Sequence, residues 1–179
     1  MSILALSGSL QKNSPGLHYA VRILIGTAAT WFLLRKLGDT HAIWAIISLI
    51  VVTDPQLKTA LTAFRFRIYN TLIGGGVGLL FLFLAGPRAW TLPLAATVTA
   101  FIASRLTPSQ PTWRIAPITA AIVMSAGFMT HSKVGGTEAA LERTGEVFLG
   151  GAIALLVTWL LSRIWMPPDS LPEHHAASG

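Results

Sequence analysis

The sequence predicts an all-α integral membrane protein with about six transmembrane helices, and three observations carry that expectation. Only 11% of its 179 residues are charged, against about 25% in an ordinary soluble domain. Mean hydropathy is +0.62, and the apolar residues fall in long blocks rather than in short amphipathic faces. The thirteen lysines and arginines stand singly or in pairs between those blocks, where membrane proteins keep their cations. This scatter also removes a nucleic-acid reading of the +6 net charge. With no cysteine, disulfides, thiolate chemistry and Cys-ligated metal are excluded.

Residues 1–18 read as a short lead-in. They lack the positive n-region of a signal peptide, and Pro15-Gly16 interrupts the apolar stretch that follows. The membrane domain is expected over 19–165, with apolar segments at about 19–37, 41–56, 68–86, 89–105, 114–130 and 144–165. A span needs roughly 20 residues, which the first, third and sixth meet easily. The second is cut short by Asp54-Pro55, the fourth carries Pro93 and the fifth Pro117. Such imperfect spans suit helices that line a protein-buried or wet cavity. Residues 166–179 form a polar tail after Pro167-Pro168 ends the last helix, and no extramembrane domain is expected beyond it. Lys12, Arg22, Lys58, Arg65, Arg67, Arg105, Arg114 and Arg163 on one side outnumber Arg35, Lys36, Arg88, Lys133 and Arg143 on the other. That bias predicts both termini on the cytoplasmic side. Trp31, Trp44, Trp90, Trp113 and Trp165 fall near span ends, as interfacial anchors do, with Trp159 deeper.

Residues 67–81, RIYNTLIGGGVGLLF, align without a gap to 143–157, RTGEVFLGGAIALLV. The arginines, a Gly-Gly pair and a Leu-Leu pair coincide. A 3+3 inverted repeat is the expectation, one unit over about 19–86 and the other over about 89–165, as recurs in transporters.

The glycines within the echo have a packing reading. Small residues four apart, Gly74 to Gly78 and Gly150 to Ala154, with Gly75 and Gly151 beside them, let helix backbones approach closely. The glycine run is no phosphate loop, since no Lys-Ser or Lys-Thr follows it. Arg67 and Arg143 are read as lying at the N-terminal ends of glycine-rich helices, where guanidinium and helix dipole together attract anions. The repeat is expected to place them near opposite mouths of one pathway. Asn70 and Glu146 occupy matching positions one turn further in, where a polar group can meet a solute; Glu146 can alternatively neutralise Arg143. Arg22, Arg65 and Lys58 are further candidates for the pathway, although cations near span ends also serve as snorkelling anchors. Arg105 and Arg114 are read as such anchors. Asp54 is expected to pair with Arg65 or Arg67, or else to carry a proton. The five histidines show no metal-ligand spacing, and no Ser/His/Asp set or carboxylate pair suggests catalysis. Neither a cofactor nor an enzymatic activity is expected.

The stretch His41 to Gly78 resembles the fusaric-acid-resistance-like (FUSC) and aromatic acid exporter family. The resemblance rests on Trp44-Ala45, Pro55, Arg67 and the run Asn70, Thr71 to Gly74, and Glu142-Arg143 through Gly150-Gly151 resembles the end of such a module. Asn70 departs from the glycine usual there, and Asp54 from an uncharged polar residue. The resemblance implies one six-span module acting as a homodimer, and it extends to the plant aluminium-activated malate channels. It therefore implies movement of organic anions, aromatic or carboxylate, across an inner or plasma membrane, by an exporter or by a passive anion channel. A third reading is a non-transporting subunit that needs an accessory membrane protein.

Overall fold

The computed structural model describes residues 14–38, 43–107 and 113–164. Expectations for Lys12, His41, Trp165, most of the lead-in and the polar tail lie outside these residues. Six helices are present among the described residues: α1 (Ser14–Lys36), α2 (Ile43–Val52), α3 (Leu57–Ala85), α4 (Thr91–Leu106), α5 (Ile115–Met129) and α6 (Lys133–Ile164). Three of them, α1, α3 and α6, have the length and apolarity to cross a membrane. The 10 residues of α2 rise about 15 Å, half the hydrocarbon thickness.

Several helices begin earlier than their apolar blocks. In α1 the chain is already helical at Ser14, the first described residue. Six of the ten residues 57–66 are Leu, Lys, Ala or Arg, good helix formers, so α3 starts at Leu57, well before the apolar stretch at 68. Its lead-in turn is fixed by Asp54, whose Oδ1 accepts the Gln56 N–H at 2.7 Å. Gly86 donates its N–H to the Leu82 carbonyl and ends α3 at φ 77°, a positive φ that glycine adopts without a steric cost. At the start of α6, Ser132 Oγ accepts the Val134 N–H at 3.1 Å, the usual serine N-cap bond.

The glycines fix how the helices sit. Gly74 lies on the Ala116 carbonyl and Thr119, Gly78 on Ala120, and Gly127 on Leu82, so α3 and α5 run parallel. Gly150 lies on the Ala45 carbonyl, Ala154 packs with Leu49 and Val52, and Thr158 Oγ1 donates to the Asp54 carbonyl at 3.3 Å. Thus α6 and α2 are parallel too. Between the long helices, Gly151 meets Phe64, Gly75 faces Ala140 and Gly136 meets Leu82, which makes α3 and α6 antiparallel. A methyl group at Gly74 or Gly150 would collide with backbone, so each glycine is a steric requirement of its crossing.

Packing is the same in both halves of the chain. Exchanging α1 with α4, α2 with α5 and α3 with α6 maps every packed helix pair onto another packed pair among the described residues. Buried positions follow the same exchange. Ala45, Ser48, Leu49 and Val52 of α2 correspond at one constant spacing to Ala116, Thr119, Ala120 and Val123 of α5. Arg22, Gly26, Thr30 and Leu34 of α1 correspond likewise to Thr91, Ala95, Thr99 and Ala103 of α4. In α3, Arg67, Thr71, Gly74, Gly75 and Gly78 correspond to Arg143, Val147, Gly150, Gly151 and Ala154 of α6, all buried. Ala45 of α2 lies against Gly150 and Ala116 of α5 against Gly74, each about midway along the long helix it meets. Large apolar side chains such as Leu24, Leu84, Phe101 and Phe148 are left exposed, as befits a molecule whose solvent is lipid.

Candidate anion site at the crossing of the long helices

Phe64 meets Gly151 and Gly75 faces Ala140, and these contacts bracket Asn70 and Glu146 at the crossing of α3 and α6. Arg67 and Arg143 lie one turn to either side of it. Both are buried, at 5% and 2% exposure, and each is ten residues inside its helix, counting from Leu57 and Lys133. This corrects two expectations. The arginines are not at helix N-termini, so the helix dipole contributes little to them, its effect fading within one turn. Nor do they mark opposite mouths: they are close enough for their charges to act on one another, and Glu146 acts on Arg143 as well. The correction has a simple cause, since the polar residues 57–66 and 133–142 continue the helices rather than precede them.

Part of the hydrogen-bonding capacity of the pair is unused. Arg67 Nη2 donates to Ser48 Oγ at 3.4 Å, while its Nε, and Arg143 Nε and Nη1, have no partner in the protein. The Arg143 guanidinium lies 3.9 Å from the centroid of the Trp44 ring, a cation–π distance. Asn70 is fully buried; its amide donates to the Phe66 carbonyl at 2.8 Å, leaving Oδ1 unpartnered, as is Thr71 Oγ1. Buried N–H groups of a cation are costly to leave unsatisfied, so guanidiniums in this state can take up an acceptor-rich group. A carboxylate, acceptor-only and able to bind two N–H groups side by side, is the natural complement.

Arg143 opens onto a cavity of about 620 Å³. Leu34, Trp44, Ile122 and Leu149 give it apolar walls, and Glu142 and Glu146 give it two carboxylates. A family model described as fusaric acid resistance protein-like matches residues 24–157, which include the crossing, the cavity and both arginines. The chain belongs to this family. Comparison with curated proteins and with solved structures returned no match. The family is one of membrane transport and resistance proteins rather than of enzymes, and this member is an integral membrane protein.

In this fusaric acid resistance-like chain the remaining candidates part company. Arg22, 4% exposed, is turned to the backbone: its Nη1 donates to the Asp54 and Pro55 carbonyls at 3.5 and 3.4 Å. It ties α1 to the break between α2 and α3 and is remote from the crossing. Asp54 is thereby corrected as well, for its carboxylate caps the Gln56 N–H and it is the Asp54 carbonyl that a buried arginine reaches. Lys58 and Arg65 are exposed on α3, away from Arg67. Trp44, expected as an interfacial anchor, lies instead beneath Arg143. Trp44 as a ligand-side residue, Ser48 and Glu142 were not legible as parts of one site. Only the echo of α3 in α6, extended to their shorter partners α2 and α5, held that information.

Proposed function

We propose that this protein moves organic anions, aromatic or carboxylate, across the inner (plasma) membrane in the manner of an exporter, and that Arg67 and Arg143 hold the anion. The observation that carries this reading is the pair of buried guanidiniums with unpaired N–H groups at equivalent positions of the two halves. A charge at mid-membrane costs roughly 2.5–3.5 kcal/mol on insertion scales, and two such charges within electrostatic reach of one another invite an anion. The matched packing of the halves supports a 3+3 inverted repeat. In such a repeat a site beside the pseudo-axis can stay in place while the halves rock about it. The glycine contacts Gly74–Ala116 and Gly150–Ala45 would be the bearing surfaces. Family resemblance supports a homodimer, and the cation bias supports both termini on the cytoplasmic side.

The test is flux in proteoliposomes of the purified protein, using hydroxybenzoate, malate and chloride, with and without a proton gradient. Organic-anion movement that needs the gradient and is lost in Arg143→Gln is the expected result. Current without a proton gradient would replace the exporter by a passive channel at the same site. No flux of any anion under either condition would overturn the transport reading and leave a subunit that works only with an accessory membrane protein.

A further inference from the structure

The cavity at Arg143 carries more negative charge than a plain anion favours. Glu142 and Glu146 stand one turn apart on the face of α6 that lines it, with Gly145 and Leu149. Like charges at that spacing repel one another, and both repel an anion approaching the guanidinium beside them. The fold does not call for them. At the equivalent positions of α3 stand Phe66 and Asn70, although the buried residues around them correspond in the two helices.

Asn70 gives a second, independent sign. Its side chain is 0% exposed and its Oδ1 is an acceptor without a partner, at the position that matches Glu146. Each arginine thus has an oxygen acceptor one turn further along its own helix, Asn70 after Arg67 and Glu146 after Arg143. Unpaired guanidinium donors alone would suit a bare carboxylate. Donors beside acceptors suit a ligand that carries both an acid and an N–H-rich cation.

Of the two carboxylates Glu146 is the one already engaged, since it acts electrostatically on Arg143. Glu142 is exposed on the cavity wall. The α1 cations that follow Leu34 are turned to rings of their own helix, Arg35 over Trp31 and Lys36 over Phe32. We infer that the cavity takes an ammonium-bearing carboxylate, with its carboxylate on Arg143 and its ammonium on Glu142. This deepens the transport reading, rests on it for Arg143 as the anion-binding group, and narrows the solute to a zwitterion. The apolar walls of Leu34, Trp44, Ile122 and Leu149 suit a short hydrocarbon or ring joining the two charges.

The test is equilibrium binding to the full chain in detergent near neutral pH, by isothermal titration calorimetry. The probes are para-(aminomethyl)benzoate, its isostere para-ethylbenzoate, and para-methylbenzylamine, which lacks the carboxylate. The zwitterion is expected to bind about tenfold more tightly than para-ethylbenzoate, the increment of one charge-assisted hydrogen bond, and more tightly than the amine. Glu142→Gln, a conservative change at an exposed position, should remove the preference over para-ethylbenzoate without weakening para-ethylbenzoate itself. Arg143→Gln should weaken both carboxylates. A preference indifferent to Glu142→Gln, or binding of neither carboxylate, would overturn the inference. So would para-ethylbenzoate bound as tightly as the zwitterion, and proton uptake with it would assign the carboxylates to proton coupling instead. Calorimetry reads binding without flux. Weak zwitterion binding beside transport of hydroxybenzoate would therefore sink this inference alone, whereas tight zwitterion binding without flux of any solute would sink the transport reading alone.

Discussion

Replacing Gly150 by alanine tests the packing of the two halves with one methyl group. The added Cβ would overlap the Ala45 carbonyl oxygen and lie 2.8 Å from the carbonyl carbon and 3.0 Å from Cα. All three obstacles are backbone, so no side chain can rotate aside and α2 must shift bodily. Overpacking of this kind costs about 1–3 kcal/mol, and the rigid obstacle points to the upper part of that range. Against it stands the intrinsic gain of alanine over glycine in a helix, about 0.5–1 kcal/mol. The net loss is therefore roughly 1–2 kcal/mol, or about five- to thirtyfold in the folding equilibrium. Gly74→Ala, set against the Ala116 carbonyl and Thr119, should behave alike. At Gly76 and Gly145 a Cβ meets nothing within 4 Å, and there alanine should be neutral or slightly stabilising. Unfolding in mixed detergent–SDS micelles, followed by far-UV circular dichroism, measures all four variants on one scale. If Gly150→Ala and Gly74→Ala matched Gly76→Ala and Gly145→Ala, the close backbone contact would not exist and the helix register derived from it would fail.

Replacing Arg143 by methionine should leave unfolding stability unchanged or higher, because a buried cation with unpaired N–H groups gives way to an apolar side chain, while anion flux is lost; a loss of stability above about 2 kcal/mol would argue for a structural role instead. Arg22→Met should do the reverse, costing about 1–2 kcal/mol through the stranded Pro55 carbonyl and leaving the half-saturating anion concentration unchanged in the folded fraction. Trp44→Leu removes the ring under Arg143 and should raise that concentration about three- to thirtyfold, the range of a cation–π contact of about 0.5–2 kcal/mol, whereas Trp44→Phe should recover most of it.

The sequence was most informative where a single physical rule applied. Apolar block length marked out α1, α3 and α6, and the fifteen-residue echo pointed to the correspondence of α3 with α6. It misled where polarity and helicity diverge. Lys58, Arg65, Glu138 and Glu142 read as loop or span-end residues because hydropathy ends there, yet the helical propensity of their neighbours carries α3 and α6 through them. Placing Arg67 and Arg143 at helix termini followed from the same error. Ser48 and Trp44 sit on a 10-residue helix whose partner, α6, lies about a hundred residues away. No local pattern in α2 encodes that contact. The constant spacing of buried residues between α2 and α5 becomes visible only once burial is known, since small apolar residues fill both helices.

The central claim is that Arg67 and Arg143 hold one anion together, and a double-mutant cycle on the half-saturating anion concentration tests it most directly. Arg67→Gln, Arg143→Gln and the double variant would be compared with the wild type in proteoliposomes at fixed ionic strength. Two guanidiniums sharing one anion predict strong coupling, on the order of 0.5–3 kcal/mol, with the double variant scarcely worse than either single one. Independent, additive effects, or an Arg67→Gln variant that binds as the wild type does, would contradict the shared site.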